Sequence, residues 1–533
     1  MSQKSSKQSF LHGAAWLAMA TAIVKVIGAL YKIPLGNVIG DAGFGYFNTA
    51  YDIYSVLLMI STAGLPVAMS RMIAEANSLG RTKQIKRIYS TARCIFLALG
   101  LTGSIFMTFF CRQLANWMNS PNSWAAIAAL GPATVLMCLT SSFRGFFQGQ
   151  GNMRPTSISQ VLEALCKLFI GLGLAYVIMR IFDDTSLAAG GAIAGVTIGS
   201  LVAAVYMYAC YRSAKKNLAD DDGPVLSHKT TAKRLLAIAI PITLGSAGLQ
   251  IINLIDAKVV MSQLVGSAGF TQEAADKMKG IYNFTQTIFN LPCAFVTPMT
   301  VSVIPAITER LTLKRPLEAK GTEESAVRVT TLLVAPCAVG LFVLSQPILA
   351  LLRGYSGDTL QLAGNLLSTL GLTVILNALV LLTNSIMQAH GNVVMPVVNM
   401  VVGGIIKVIV NYILVGNPAI HIQGAPMGTL CCYITITTLN IFALRRTTKH
   451  APNVLKNLAK PLLAAVLMGV VTFFAWKGLA LLTTSRLLLC AGPIAVAVVV
   501  YVVMILVLRP LTYEDCLLLP KGEKIARILG VKR

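Results

Sequence analysis

The sequence predicts an all-α polytopic membrane protein of about fourteen transmembrane helices, arranged as two parallel six-helix lobes followed by two C-terminal helices. Three observations lead there. First, 55% of the 533 residues are hydrophobic and only 12% charged, with a mean hydropathy of +0.71, a balance that soluble domains do not show. Second, apolar runs of roughly 20 residues recur along the whole chain, the length needed to cross a hydrocarbon core about 30 Å thick, and they lack the polar/apolar alternation of a membrane β-barrel. Third, the chain resembles itself at a fixed offset, which marks a repeat architecture.

The first lobe, 1–210, starts with the span 10–31. At about 22 residues it is too long for the apolar region of a cleavable signal, and it lacks a small-residue cleavage site, so it is kept as helix one. Lys25 sits in its outer half, one turn before Gly28. The span 47–70 carries Asp52 near its outer end and contains Gly64-Leu-Pro66. After the basic run RTKQIKR (81–87) come spans 90–111, 124–147 with Arg144 at its cytosolic end, 155–178 with Glu163 and Lys167, and 187–210. A basic cytosolic linker, 211–234, opens with YRSAKK. The second lobe, 235–450, holds 236–261, 281–306, 327–351, 360–387, 396–414 and 424–444, ending in ALRRTTK (443–449). Spans 459–481 and 487–508 and a basic tail fill 451–533. Pro241, Pro292, Pro298, Pro305 and Pro336 mark places where helices can bend, since freed backbone groups are re-satisfied inside a bundle.

The excess of 44 Lys and Arg over 20 Asp and Glu suggests nucleic acid until the charges are placed. With both termini in the cytosol, most of them fall in cytosolic tails and loops, as the positive-inside rule requires. The basic runs are therefore topology signals and no nucleic-acid partner is expected. Most cysteines lie inside apolar spans without CxxC or Cys/His spacing, so neither disulfides nor metal sites are expected. No G-x-x-x-x-G-K-[ST] phosphate loop and no H-E-x-x-H is present. The expectation is a non-enzyme without cofactor, driven by an ion gradient, the membrane potential or substrate supply.

The internal repeat is specific. QGQGNMRPTSISQVLEALCK (148–167) answers QAHGNVVMPVVNMVVGGIIK (388–407), matching Gln148/Gln388, Gly151/Gly391, Asn152/Asn392 and Lys167/Lys407 at a shift of 240, with Gly191-Ala192-x-x-Gly195 echoed by Gly424-Ala425-x-x-Gly428. Six helices per copy run the same way, the parallel type of transporter repeat, whose ligand site lies near mid-membrane.

Charges inside spans cost a few kcal/mol at the bilayer centre and normally face a bundle interior or watery cavity. Asp52, Glu163, Asp256, Lys25, Lys167, Lys258 and Lys407 are of this kind. Glu163 and Lys167, four apart with the carboxylate first, can neutralise each other. Gly403 stands where Glu163 would fall in the second copy, so Lys407 needs another partner or an anion. Asp256 and Lys258, two apart, point to different sides and need separate partners. Lys25 and Lys258 suggest an outer cationic site; Lys167, Lys407 and Arg144 suggest an inner one. More cations than carboxylates suits an anionic, phosphate-bearing head group. The alternative is that these lysines only lock helices together.

RGFFQGQGNMRPTSISQVLE (144–163) and IPLGNVIGDAGFGYFNTAYDIYSVLLMISTAGLPVAMSRMIAE (33–75) resemble the polysaccharide-export and stage V sporulation protein B group. That group lies in the multidrug/oligosaccharidyl-lipid/polysaccharide exporter superfamily, together with the MurJ-type lipid II flippases. The resemblance implies fourteen helices, a V-shaped pair of lobes around a cationic cavity for a diphosphate-sugar head, and a lipid-tail groove at the last two helices. It carries over Arg144, Gln148, Pro155, Gln160 and Glu163 from the first stretch, and Gly64, Pro66, Arg71 and Glu75 from the second. The second copy departs from the pattern, with Asn384 where Arg144 would fall.

Together these readings point to a multi-pass, monomeric flippase of the bacterial plasma membrane. Substrate contacts are expected from Lys25, Arg71, Arg144, Lys167, Lys258 and Lys407, and charge pairing or coupling to an ion from Asp52, Glu163 and Asp256. Its partners would be membrane lipids and an undecaprenyl-diphosphate-linked saccharide, lipid II above others, moved by alternating access for peptidoglycan synthesis or sporulation. A cation-coupled drug exporter of the same superfamily would instead show more cavity carboxylates than lysines, and twelve helices. A membrane scaffold in cell-wall or spore assembly would use the buried charges only as helix locks. A lipid-linked glycosyltransferase is disfavoured by the short external loops and the lack of an exposed acid/base pair.

Overall fold

The computed structural model describes residues 2–216, 224–448, 450–512 and 515, with side chains described outside 2–15, 17, 18, 22 and 298–302. Among these residues all regular structure is helical. In chain order the helices are α1 (Ser2–Thr62), α2 (Gly64–Ser78), α3 (Thr82–Phe109), α4 (Cys111–Trp117), α5 (Trp124–Gly149), α6 (Arg154–Cys166), α7 (Leu172–Phe182) and α8 (Thr185–Lys216). They continue with α9 (His228–Val265), α10 (Gln272–Thr312), α11 (Pro316–Val343), α12 (Ser345–Arg353), α13 (Gly357–Ala389), α14 (Val394–Val415), α15 (Gly424–Thr447), α16 (Val454–Leu482) and α17 (Arg486–Leu508). A π-helical turn, Lys167–Gly171, joins α6 to α7.

Twelve stretches among the described residues are long and apolar enough to cross a bilayer, against the fourteen expected, and the molecule is a multi-pass membrane protein. Two places account for the difference. The stretch Met19–Ser78, 60 residues long, joins the first two expected spans; at 1.5 Å per residue it measures roughly 90 Å, three bilayer cores, and cannot be one crossing. Between the two expected spans the break is one residue, Gly40, at φ 69° and ψ −176°. An L side chain rarely adopts that conformation, which is why a glycine can interrupt the helix without a loop. The second place is α10, whose expected span, 281–306, runs over residues 298–302, outside the described side chains.

The basic segments are more helical than expected. α3 begins inside RTKQIKR, α8 runs to Lys216 and α9 starts at His228, so the linker expected over 211–234 is largely the ends of two long helices. Two short helices, α4 and α12, cap the ends of α3 and α11 in corresponding places.

By packing, the chain divides into two compact units, Met1–Phe284 and Thr285–Arg533. In the first, α5 is central, packed on α1, α2, α3 and α8, while α9 lies against α1, α2 and α3. Lipid supplies no hydrophobic drive between helices, so close approach relies on small residues. α8 provides them: Ala188, Gly191, Ala192, Gly195 and Gly199 are all buried. In the second unit α13 takes the central place between α11 and α15, α14 packs on α15, and the pair α16–α17 lies on α11. α17 leaves Val498, Val499 and Val507 exposed, as a lipid-facing helix does.

The sequence repeat appears as repeated local geometry. Gly151 (φ 77°) and Gly391 (φ 83°) both end a helix in the left-handed region. The amides of Gly151 and Asn152 reach back to the carbonyls of Gln148 (3.0 Å) and Phe147 (2.9 Å), and those of Gly391 and Asn392 to Gln388 (2.9 Å) and Met387 (2.9 Å).

Beyond α17 the chain returns to α11. The buried Asp515 carboxylate accepts from Arg328 Nε (2.7 Å) and a second guanidinium nitrogen (2.8 Å), from Ser325 Oγ, and from the Thr512 amide (2.7 Å). Arg328 also donates to Asn457 Oδ1 of α16 (2.6 Å), so one guanidinium ties α11, α16 and the tail together.

Candidate functional site: a cationic cavity in the first unit

A cavity of about 370 Å³ opens among α1, α5, α6, the π-helical turn and α8. Lys25 lines it from α1, Arg144 from α5, Gln160 and Glu163 from α6, and Lys167 from the first residue of the π-helical turn; Tyr31, Tyr51 and Tyr54 of α1 supply an aromatic wall. Four of the sequence-predicted site residues thus meet in one place. Their formal charges are three positive and one negative.

The ion pairing differs from the sequence expectation. Glu163 accepts from Arg144 of the neighbouring helix at 3.2 Å, and Arg144 Nε is also 3.2 Å from Ser159 Oγ. Both sit one turn apart on the α6 face toward α5, which is why the guanidinium, with its fork of donors, wins the carboxylate. Lys167 turns the other way: its Nζ donates to Tyr51 Oη at 2.8 Å. It lies 4.6 Å from the Tyr51 ring centre, 5.0 Å from Tyr31 and 5.7 Å from Phe47, within cation–π range of all three.

Past Lys167 the helix makes a π-helical turn, which inserts one extra residue and rotates the turns that follow about the axis. It fits here because Gly171 packs directly on Gly195 of α8; a Cβ at Gly195 would overlap the Cα and N of Gly171. Beside it, Tyr31 Oη donates to the Ala192 carbonyl at 3.1 Å, fixing α1 to α8.

The remaining expected residues lie elsewhere. Asp52 pairs with Lys279 of α10 at 3.5 Å, and Lys279 is only 3% exposed; its Nζ also donates to Thr49 Oγ1 at 2.9 Å. Asp256 is buried on α9, and Lys258, half-buried two residues on, covers the Trp117 ring at 4.3 Å. Arg71 is exposed on α2, while its neighbour Glu75 takes Arg234 through both oxygens, at 3.0 and 2.9 Å. Lys407 is half-buried on α14 of the second unit, outside the cavity lining. The paired inner and outer cationic sites are therefore replaced, in the first unit, by one cavity that joins Lys25 to Lys167 and Arg144.

Sequence reasoning missed Tyr31, Phe47, Tyr51, Lys32 and Lys279. A signal existed for the aromatics: Phe44, Phe47, Tyr51 and Tyr54 recur at helical spacing around Asp52. Lys32 and Lys279 fall one and two residues outside the expected apolar spans, yet Lys32 is within electrostatic reach of Lys167 and Asp52. Among the described residues no group of three or more His, Cys, Asp or Glu could hold a metal.

Comparison with known proteins agrees with the geometry. A family model described as polysaccharide biosynthesis protein matches residues 10–310, and one described as MatE matches 275–413. Stage V sporulation protein B of Bacillus subtilis (strain 168) is 24% identical over 524 residues, covering 97% of this chain and 98% of that protein. The lipid II flippase MurJ of the same organism is 24% identical over 476 residues, 86% of this chain and 87% of its own. A solved structure of lipid II flippase MurJ in an inward closed conformation superposes with a TM-score of 0.69 at 15% identity, covering 92% of this chain and 97% of the other. That last likeness is one of fold. More than half of the sequence matches the first model, and the chain belongs to the polysaccharide biosynthesis protein family of the multidrug/oligosaccharidyl-lipid/polysaccharide exporter superfamily.

Proposed function

We propose that this transporter is a flippase for an undecaprenyl-diphosphate-linked saccharide, lipid II above others, in the plasma membrane of a bacterium with both its termini in the cytosol. The observation that supports this reading is the charge of the cavity. Lys25, Arg144 and Lys167 against Glu163 give the lining an excess of two positive charges, and a diphosphate joined to two groups carries two negative ones. Such a lining attracts an anion more strongly than a neutral or cationic cargo.

The sporulation and flippase relatives, at 24% identity, support a lipid-linked cargo. The sign of the charge argues against a drug exporter of the same superfamily, whose cationic cargo calls for surplus carboxylates. The role is that of a carrier, acting as a monomer by alternating access, with the driving force supplied by an ion gradient or the membrane potential.

The test is translocation of labelled lipid II in proteoliposomes, together with rescue of a flippase-depleted bacterium. Lys25→Gln/Arg144→Gln should abolish both while the protein still inserts. Full activity in that variant would mean that the cargo is held elsewhere than in this cavity; no translocation by the wild type would sink the reading and leave the scaffold role.

A further inference from the structure

Lys167 is charged, lines the cavity, and is held by an unusual set of neighbours. An ordinary buried lysine is stabilised by a carboxylate, which also cancels its charge. Here the carboxylate one turn away, Glu163, is engaged by Arg144 at 3.2 Å, and three rings surround the ammonium instead. A ring quadrupole attracts a cation without carrying net charge, so the rings hold the ammonium without adding a negative charge of their own. The box is itself rigid. Tyr31 and Phe47 are fully buried, Tyr31 is tied to Ala192, and the Phe47 and Tyr51 rings pack at 4.9 Å. Lys167 also begins the π-helical turn, a feature frequent at functional sites.

We propose that Tyr51, with Tyr31 and Phe47, is a positioning residue that seats the Lys167 ammonium at the cavity wall, so that a phosphate meets a preset cation. This rests on reading the cavity as an anion site. The hydrogen bond to Tyr51 Oη fixes the direction of one N–H, and the rings fix the place; the remaining donors are left for phosphate oxygens. A cation aligned before binding costs the complex little reorganisation.

The experiment is equilibrium binding to the full-length protein in detergent, using inorganic pyrophosphate and, separately, undecaprenyl diphosphate. Lys167→Gln and Tyr51→Leu should each weaken binding about tenfold, equivalent to about 1.4 kcal/mol. Tyr51→Phe keeps the ring and should lose only about threefold. The double variant Lys167→Gln/Tyr51→Leu should bind no worse than Lys167→Gln alone, because Tyr51 acts through the ammonium. A further loss in the double variant would mean that Tyr51 touches ligand or merely supports the fold, and would overturn the proposal. If Lys25→Gln weakens binding while Lys167→Gln and Tyr51→Leu do not, the anion site stands and the positioning role falls. If the wild type binds neither probe, both fall. Should Tyr51→Leu fail to fold, Phe47→Leu takes its place, with the same required dependence on Lys167.

Discussion

Gly195→Ala is the sharpest perturbation the structure offers. The methyl would land inside the van der Waals radius of Gly171 Cα and N and 3.2 Å from the carbonyl carbon of Ile170. All three are backbone, so no side chain can swing aside. Restoring a carbon–carbon separation of about 3.5 Å requires α8 and the π-helical turn to part by about 1 Å or more. Overpacking of this kind costs about 1–3 kcal/mol, and the shift falls on the turn that begins with Lys167. Gly173→Ala, two residues beyond that turn, is the matched control: nothing lies within 4 Å of its added methyl, and alanine is the better helix former by about 1 kcal/mol. Thermal unfolding in lipid-doped detergent should therefore drop for Gly195→Ala and hold or rise for Gly173→Ala. Transport of labelled lipid II in proteoliposomes should fall with the first and not with the second. Equal stability and equal transport for the two variants would refute the claim that glycine contact permits the π-helical turn.

The ion pairs supply two further expected outcomes. Arg144→Gln strands the Glu163 carboxylate, which is 21% exposed, and should cost about 2 kcal/mol, less than for a fully buried pair; Arg144→Gln/Glu163→Gln should recover part of that in the same unfolding assay, and a double variant no better than the single would show that the pair is not a unit. At the tail, burial alone would raise the Asp515 carboxyl, but hydrogen bonds from Arg328, Ser325 and the Thr512 amide, with the arginine charge, outweigh it and hold the carboxyl below its ordinary range. A depressed folded value stabilises fully above the unfolded value of about 4 and is lost as pH falls through the folded one. Asp515→Asn should therefore lower unfolding temperature at neutral pH and flatten the acid limb below about pH 4; an unchanged limb would remove Asp515 from the account.

What the sequence made legible was set by length scale. Apolar runs report the solvent around a helix, so the membrane class and most spans could be read directly, and Gly151 and Gly391 could be matched as parts of a repeat, though not their left-handed backbone. Pairing is a property of neighbours in space and left no such trace. Glu163 and Lys167 have the spacing of an intrahelical pair, and the backbone between them is α-helical, but Arg144 of the neighbouring helix takes the carboxylate. The same limit hid Lys279: its partner Asp52 is 227 residues away in sequence, and only packing of α10 against α1 makes the pair.

The repeat lets the joints of the two copies be compared. At the shift of 240, Arg144, Ser159 and Glu163 correspond to Asn384, Asn399 and Gly403. In the second unit Asn384 and Asn399 belong to a neutral amide network centred on Asn440 of α15: Asn440 Nδ2 donates to Asn384 Oδ1 (2.8 Å) and Thr383 Oγ1 (2.9 Å), and Asn399 Nδ2 donates to Asn440 Oδ1 (2.8 Å). The helices that answer α5 and α6 are therefore linked through amides, where α5 and α6 are joined by an ion pair. Amides suffice to join helices inside a membrane, at about 1 kcal/mol each or less, and carry no desolvation penalty for charge. An ion pair at the equivalent crossing is thus not required by the architecture. Its presence beside Lys25 and Lys167, where its arginine adds to the charge of the cavity and its carboxylate trims it, is what the proposed anion site would call for.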